Sequence, residues 1–431
     1  MSQVRQQLNL FDSICLIAGV IIGVGIYQMM PQMAAGAGGG GGLLLLIFVG
    51  GMISLCGALA YAELATAIPE EGGDYVYLTR AYGPWAGFLF GWVQTAIVRP
   101  GDIAVMAFAF STYALSATGT PAGRWGESLL AAASVAILTA INVAGVTAGK
   151  RTQNLLTVAK ALGLLSIVGI AFLIPRPEVV EAEVEAAPLG LAFIFVLFAY
   201  GGWNEMAYVA AEIKNPEKNI ARALTLGTVC VTALYLLLGL AFLWTLGYAG
   251  TATSKAVAVD AVDTAFPRFG GTMVGLLICI SALGAVNGLI FTGARISYAV
   301  GKEHPVFRPL GRWNETTQTP IRALLLQGLL TIILILGLGD FINAIIYTSS
   351  VVYSFYIATS IAVIVLRFKA PSLPRPYRTP GYPVTILLFA VVCLFMLYSA
   401  VTYKPDIAVA ALGIALLGLV VYVCQTYWSK K

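Results

Sequence analysis

Apolar and polar positions along the chain sort into long apolar runs separated by short polar links. Twelve runs approach or exceed the roughly 20 residues a helix needs to cross a bilayer. They fall at 10–32, 43–67, 85–115, 128–148, 154–174, 189–210, 224–247, 272–300, 321–339, 342–367, 384–403 and 407–427. Two of them are interrupted by glycine: Gly23-Val24-Gly25 inside Ile14–Ala34, and Gly201-Gly202 inside Leu189–Val209. Glycine at mid-span weakens a helix and frees backbone groups. In a bilayer such groups are tolerated only where protein or a watery cavity surrounds them. The breaks fall in the first and sixth runs, the interval expected of an inverted repeat of five plus five helices. Two readings stay open: the breaks form a binding site at mid-membrane, or they are small-residue contacts like the Gly19-xxx-Gly23 spacing.

Composition supports the membrane pattern. Of the 431 residues 59% are hydrophobic and only 10% charged, with a mean hydropathy of +0.87. A soluble domain carries about a quarter charged residues. The expectation is one membrane domain over 1–431, with a first repeat over 1–175, a second over 189–367, and two added spans over 384–427. The first run, after the polar head Met1–Asn9, is too long for a signal-peptide core and is kept as structure.

Charge placement gives orientation. An even number of spans puts both termini on one side. Most of the 25 lysines and arginines then fall on that side, among them Arg80, Lys150, Arg151, Lys214, Arg295, Arg308 and Arg367. Such a bias marks the basic side as cytoplasmic. It also accounts for the net charge of +5 without nucleic acid. The Arg176–Ala187 link reads as a solvated acidic loop.

Candidate chemistry is sparse. The glycine-rich Ala34–Gly42 link lacks the Lys-Ser/Thr of a phosphate loop. Six cysteines lie in or beside the runs with no CxxC spacing, and His304 is the only histidine. No metal site, cofactor site or catalytic triad follows, and no enzyme activity is expected. Arg99 and Asp102, three apart in the third run, share a helix face. They either neutralise one another or pair with a neighbour. Lys160 lies roughly 9 Å into the fifth run, at about 1.5 Å per residue, and either snorkels to the interface or does work inside. Unwinding a span exposes N–H groups that suit a carboxylate and carbonyls that suit an ammonium. A zwitterionic amino acid fits such a site, and a passive channel is the rival from another class.

Several stretches together resemble one family. They are Ile21-Ile-Gly-Val-Gly-Ile26, Tyr61-Ala-Glu-Leu, Gly72-Gly-Asp-Tyr75, Arg99-Pro100, Phe198-Ala-Tyr-Gly-Gly-Trp-Asn204, Asn215-Pro216 and Gly284-Ala-Val-Asn-Gly-Leu-Ile-Phe-Thr292. In this order, over nearly the whole chain, they resemble the amino acid–polyamine–organocation superfamily, and within it the L-type amino acid transporter group. The resemblance implies an all-α polytopic membrane protein of LeuT-type fold, with two discontinuous helices and alternating access. It implies a substrate site over Ile21, Gly23, Val24, Gly25 and Ile26 of the first break. Phe198, Ala199, Gly201, Gly202 and Asn204 of the second break, and Tyr353, complete it. The N–H groups of Val24 and Gly25 would hold the carboxylate, and the carbonyls of Ile21, Phe198 and Gly201 the ammonium. Phe198 would close over the substrate from outside. Lys160 matches a lysine that stands in place of a sodium ion in sodium-independent relatives and ties span 5 to spans 1 and 8, with Ser281 as its partner.

The chain also departs from the family pattern. The usual Gly-Ser-Gly is Gly-Val-Gly here, so Val24 offers only backbone. Asp102 and Glu205 are acidic where relatives are mostly neutral, and are candidate charge sites for a cationic substrate or a proton. The Ser116–Glu127 link has no cysteine, where animal relatives use one to bond a heavy chain. The expectation is therefore a microbial protein with no heavy-chain partner. The implied function is sodium-independent exchange of neutral L-amino acids across the cell (inner) membrane, with both termini cytoplasmic. The alternative is a proton-coupled carrier of cationic amino acids or amines.

Overall fold

The computed structural model describes residues 6–70, 72–118, 124–173, 184–254, 256–267, 270–338, 341–403 and 405–428. Among them the regular structure is helical, and the strand-like pairings are two isolated bridges, Leu8–Ile213 and Asn314–Thr319. Most of the Arg176–Ala187 link lies outside the described residues.

The first run folds as two helices, α1 (Leu10–Ile21) and α2 (Gly25–Ala37), bent by 51° at the glycine break. A capping box starts α1: the Asn9 side chain accepts from the Asp12 N–H at 2.9 Å, and the Asp12 carboxylate accepts from the Asn9 N–H at 3.0 Å. Then follow α3 (Gly40–Ala67), the short α4 (Asp74–Tyr82), α5 (Pro84–Val93) and α6 (Arg99–Thr118). A π-helical turn at Gln94–Val98 joins α5 to α6. Pro100 has no N–H for the carbonyl four residues back. The wider turn before it, closed by the Arg99 N–H on the Gln94 carbonyl, lets the rod continue.

Next come α7 (Arg124–Val143) and α8 (Val146–Leu173), parted by a turn at Ala144–Gly145. The expected boundaries, 128–148 and 154–174, placed this turn too late. The sixth run is α9 (Leu189–Ala199), an irregular turn at 200–204, and α10 (Glu205–Tyr208). The rest is α11 (Pro216–Thr253), α12 (Val257–Asp263), α13 (Gly270–Glu303), α14 (Ile321–Leu338), α15 (Phe341–Lys369), α16 (Val384–Tyr403) and α17 (Pro405–Trp428). Helices α4 and α12 lie in stretches read from the sequence as links. Nine helices among the described residues are long and apolar enough to cross a membrane, ten when α1 and α2 count as one bent span. The runs at 189–210 and 321–339 carry shorter apolar helices.

Burial is inverted relative to a soluble bundle. On α8 the exposed side chains include Leu155 and Leu173, 70% and 86% accessible, while Gln153, Thr157 and Lys160 are buried. A helix with apolar residues outside and polar ones inside belongs in lipid. The chain is thus a multi-pass membrane protein, its polar groups turned toward a shared interior.

At the end where α1 begins, ties hold the bundle shut. The N–H groups of Gln7 and Leu8 donate to the Glu212 carbonyl at 2.8 and 2.9 Å, and the Lys214 N–H donates to the Leu8 carbonyl at 2.8 Å. Lys150 reaches Asp12 at 3.0 Å. Arg295, with no solvent exposure, grips Glu212 through two bonds of 2.7 and 3.2 Å and lies 3.9 Å over the Phe291 ring. Arg295 therefore belongs to the interior and not to a solvated link. Removing one partner of a buried pair strands the other charge, at about 3–5 kcal/mol. Glu212→Gln is expected to lower the melting temperature in detergent markedly, and a wild-type melting curve would contradict the pairing.

Candidate functional site between two broken helices

The first break spans Ile22–Val24. The Ile22 N–H closes on the Ala18 carbonyl at 2.8 Å and the Gly23 N–H on the Ile21 carbonyl at 2.7 Å. The next three N–H groups, of Val24, Gly25 and Ile26, have no acceptor among the described residues. They open α2 and carry its positive end. In this conformation they are sealed: Val24 and Ile26 are 0% and 1% exposed. A Cβ built on Gly25 would lie 3.1 Å from the Ala199 Cα, and one on Gly23 would lie 3.2 Å from the Met106 sulfur.

The carbonyls of this break are occupied by a side-chain cation. Lys160 on α8 donates to the carbonyls of Gly19 at 2.5 Å, Ile22 at 2.8 Å and Ser281 at 3.2 Å. Three acceptors match the three hydrogens of an ammonium. Lys160 has no exposure, so it works inside and does not snorkel. The Ser281 hydroxyl lies 3.0 Å from the Ile22 carbonyl and 3.1 Å from that of Gly23. Lys160 and Ser281 thus tie α8 and α13 to the break in α1, and the absence of a Cβ at Gly284 leaves room for the ammonium, 2.9 Å from where that atom would stand.

The second break runs from Tyr200 to Asn204. Gly202 has φ of 102°, a backbone state that side chains other than glycine rarely adopt. A Cβ there would also stand 2.5 Å from Val20 Cγ1. The two broken helices therefore touch at their breaks, Gly25 against Ala199 and Gly202 against Val20. Tyr235 on α11 bridges them: its hydroxyl lies 2.9 Å from the Ile21 carbonyl and 3.1 Å from that of Ala199. The Ile21 carbonyl is consequently engaged by Tyr235 and Gly23, and is not free for an ammonium in this conformation. Nothing in the sequence pattern marked Tyr235, which lies mid-helix in an apolar run. Tyr235→Phe is expected to cost about 1 kcal/mol of stability, measured by unfolding in detergent.

A cavity of about 120 Å³ opens beside the breaks. Of the expected site residues, Phe198, Gly201, Gly202, Tyr353, Asp102 and Glu205 line it. Ile21, Gly23, Val24, Gly25, Ile26, Ala199 and Asn204 do not. Asn204 instead holds the second break, donating to the Tyr208 hydroxyl at 2.9 Å. The far wall comes from α16, through Phe389, Cys393 and Met396. Expected only as an addition outside the repeat, α16 helps to enclose the site.

Of the two outcomes left open for the charges in the third run, Arg99 takes the second and pairs with a neighbour. Arg99 binds Glu205 at 2.8 Å, not Asp102. It also donates to the Gln94 carboxamide oxygen at 3.0 Å and lies 4.8 Å from the Tyr208 ring centre. The Thr292 hydroxyl also donates to Glu205. Glu205 is therefore a neutralised structural partner and not a free charge site. The spacing of three between Arg99 and Asp102 was outweighed by a carboxylate from another helix. Asp102 lines the cavity and makes no ion pair among the described residues.

Comparison with known proteins fits this geometry. The family model for amino acid permeases matches residues 8–424. The b(0,+)-type amino acid transporter 1 of Mus musculus is 31% identical, over 94% of this chain and 84% of its own length. The large neutral amino acids transporter small subunit 2 of Homo sapiens is 33% identical, over 99% of this chain and 82% of its own length, and the Mus musculus protein of that name matches equally. These names correct the expectation of a chain without a heavy-chain partner. The large neutral amino acids transporters, matching over 99% of this chain, are small subunits by name. A missing cysteine in one link removes only a covalent tie, and a noncovalent interface needs none.

Proposed function

The chain belongs to the amino acid permease family, and from that premise we propose a sodium-independent carrier that exchanges neutral L-amino acids by alternating access. The observation that carries this reading is the contact of two interrupted helices, break against break, beside a cavity in the helical interior. The proposed fold is of LeuT type, with twelve spans, a five-plus-five inverted repeat and both termini cytoplasmic in a cell membrane. The free N–H groups of Val24, Gly25 and Ile26 would hold the carboxylate, and the carbonyls of Phe198 and Gly201 the ammonium. Because Ala199 packs against Gly25 and both Val24 and Ile26 are buried here, binding would require the breaks to part. Substrate then favours the opened or occluded arrangement over this one, and that difference in affinity drives the cycle.

Lys160 supports independence from sodium. Its ammonium already satisfies the carbonyls of Gly19, Ile22 and Ser281, the kind of oxygen cluster a sodium ion would need. The ties at Asp12–Lys150 and Glu212–Arg295 would close the cytoplasmic path and release together as it opens.

Counterflow tests the reading. Protein reconstituted in liposomes preloaded with unlabelled leucine is expected to take up labelled leucine faster than in empty liposomes, saturably and without sodium. Uptake that neither saturates nor responds to internal leucine would make the protein a channel. A strict sodium requirement would remove the role given to Lys160.

A further inference from the structure

We propose that Asp74 binds a regulatory proton. Its side chain is a neutral acid while the end where α1 begins is shut, and it loses the proton to water when that end opens. The proposal rests on the exchange reading for the motion and adds the ion linked to it. The proton leaves and returns on one side, so none is carried across.

Two stretches that the substrate site leaves unused, Tyr61-Ala-Glu-Leu and Gly72-Gly-Asp-Tyr75, meet at this residue. Asp74 opens α4, outside the spanning helices, and has no solvent exposure. Its Oδ1 accepts from the Tyr61 hydroxyl of α3 and from the Thr359 hydroxyl of α15 at 2.5 Å. Its Oδ2 is buried with no hydrogen-bond partner among the described residues. Facing it are Tyr61 of α3, Tyr77 of α4, Tyr208 of α10, and Tyr356 and Thr359 of α15. None of these is a cation, and Asp74 makes no ion pair among the described residues. Arg99, 4.8 Å from the Tyr208 ring centre, is taken by Glu205, and Arg80 of α4 by Glu70. A carboxylate sealed away without a counter-charge is far costlier than the neutral acid. With two hydroxyl hydrogens on Oδ1, the hydrogen of the acid belongs on Oδ2. Burial accordingly holds this carboxyl above the usual carboxylate range and outweighs the hydroxyl bonds to it.

The second broken rod closes the seat. Gly72 and Gly73 have φ of 103° and 50°, a state suited to glycine. A Cβ on Gly73 would lie 2.6 Å from the Tyr208 ring, and one on Gly72 2.6 Å from the Ala299 Cβ. The start of α4 therefore presses directly on α10 and α13. Four residues after Tyr208 stands Glu212, whose bonds to Arg295 and to the Leu8 N–H shut this end. Opening that releases Glu212 carries Tyr208 off α4 and lets water reach Asp74. The O–H bond of the acid then breaks, its proton passes to water, and the bond re-forms on closure. Protons therefore favour the shut form. As pH rises from the ordinary aspartate range to the raised one, the shut form loses stability relative to the open one. Exchange is held back by acid, because the proton must leave before this end can open.

The test uses the full chain in liposomes preloaded with leucine, at equal pH on both sides. Exchange of labelled leucine is expected to rise at least about threefold between about pH 5 and about pH 8. Asp74→Asn, neutral at every pH, is expected to lose the rise. Each rate is taken relative to the same protein at the acid end, a ratio insensitive to how much folds. Thr359→Val removes one donor to the carboxylate and is expected to move the rise to higher pH, which a merely structural role for Asp74 would not do. A flat wild-type profile would overturn the proposal and leave the exchanger standing, and so would a rise that survives in Asp74→Asn. Leucine uptake driven by an inward proton gradient and lost in Asp74→Asn would overturn the return of the proton on one side. Should leucine fail to exchange, the exchange reading fails, and infrared spectra of the detergent-solubilised chain decide the proton. The carbonyl stretch of a buried protonated carboxyl is expected in the wild type at neutral pH and not in Asp74→Asn. Its absence from the wild type would overturn the proposal.

Discussion

Gly25→Val protein is expected to reach the membrane in normal amount and to exchange no amino acid. A single Cβ at this position would already stand 3.1 Å from the Ala199 Cα and 3.4 Å from its Cβ. The obstacle is backbone on both sides, so no rotamer change relieves it. The added isopropyl group would push the two breaks apart at their point of contact and crowd the free N–H at the start of α2. Overpacking of this kind costs about 1–3 kcal/mol, which a large membrane protein tolerates while the site between the breaks is lost. Gly41→Ala is the matched control, since nothing lies within 4 Å of the Cβ it would add. Immunoblots of membranes and counterflow of labelled leucine measure the two effects. Wild-type exchange by Gly25→Val would show that the breaks do not need to meet.

Lys160→Ala is expected to reduce exchange to background and to destabilise the protein as well. It takes one cation from three buried carbonyls at once. Each carbonyl left without a donor costs about 1–3 kcal/mol, and two of them, Gly19 and Ile22, belong to the rod whose contacts would change in the proposed cycle. The Ser281 hydroxyl can still serve Ile22 or Gly23, so part of the tie from α13 survives. Melting in detergent separates the structural loss from the functional one. A Lys160→Ala protein that exchanges at the wild-type rate would show that the break holds its shape without the ammonium. Recovery of exchange in that variant on adding sodium would show that the oxygen cluster accepts a metal ion once the side chain is gone.

What could be read from the chain follows the physics of each signal. A long apolar run has few alternatives to a spanning helix, so every expected run carries helix in the structure. Mid-span glycines are conspicuous because lipid penalises them, and both breaks lie where Gly23–Gly25 and Gly201–Gly202 placed them. Depth in the run left Lys160 open between the interface and the interior, and only the family resemblance pointed inside. Pairing between distant helices was not legible. Arg99 chose Glu205, 106 residues away, over Asp102 on its own helix, because side-chain approach in the packed bundle outranks sequence spacing. Tyr235 and the part α16 takes in the cavity wall were missed on similar grounds: a tyrosine in an apolar helix reveals its hydrogen-bond partner only once the neighbouring helix is placed. The short α4 and α12 lack the length that made the other helices recognisable.

The stitching of Leu8 and Glu212–Lys214 has a consequence for leakage. It fastens the lower end of one interrupted rod to the tail of the other through main-chain bonds, which side-chain truncation leaves in place. While these bonds hold, the two rods would move together at this end. States in which one rod swings and the other stays would have to break them, and such half-shifted states are the ones that would leave a continuous aqueous path. Tight stoichiometry would then be a property of three backbone hydrogen bonds at the rim, and not of the binding chamber at all.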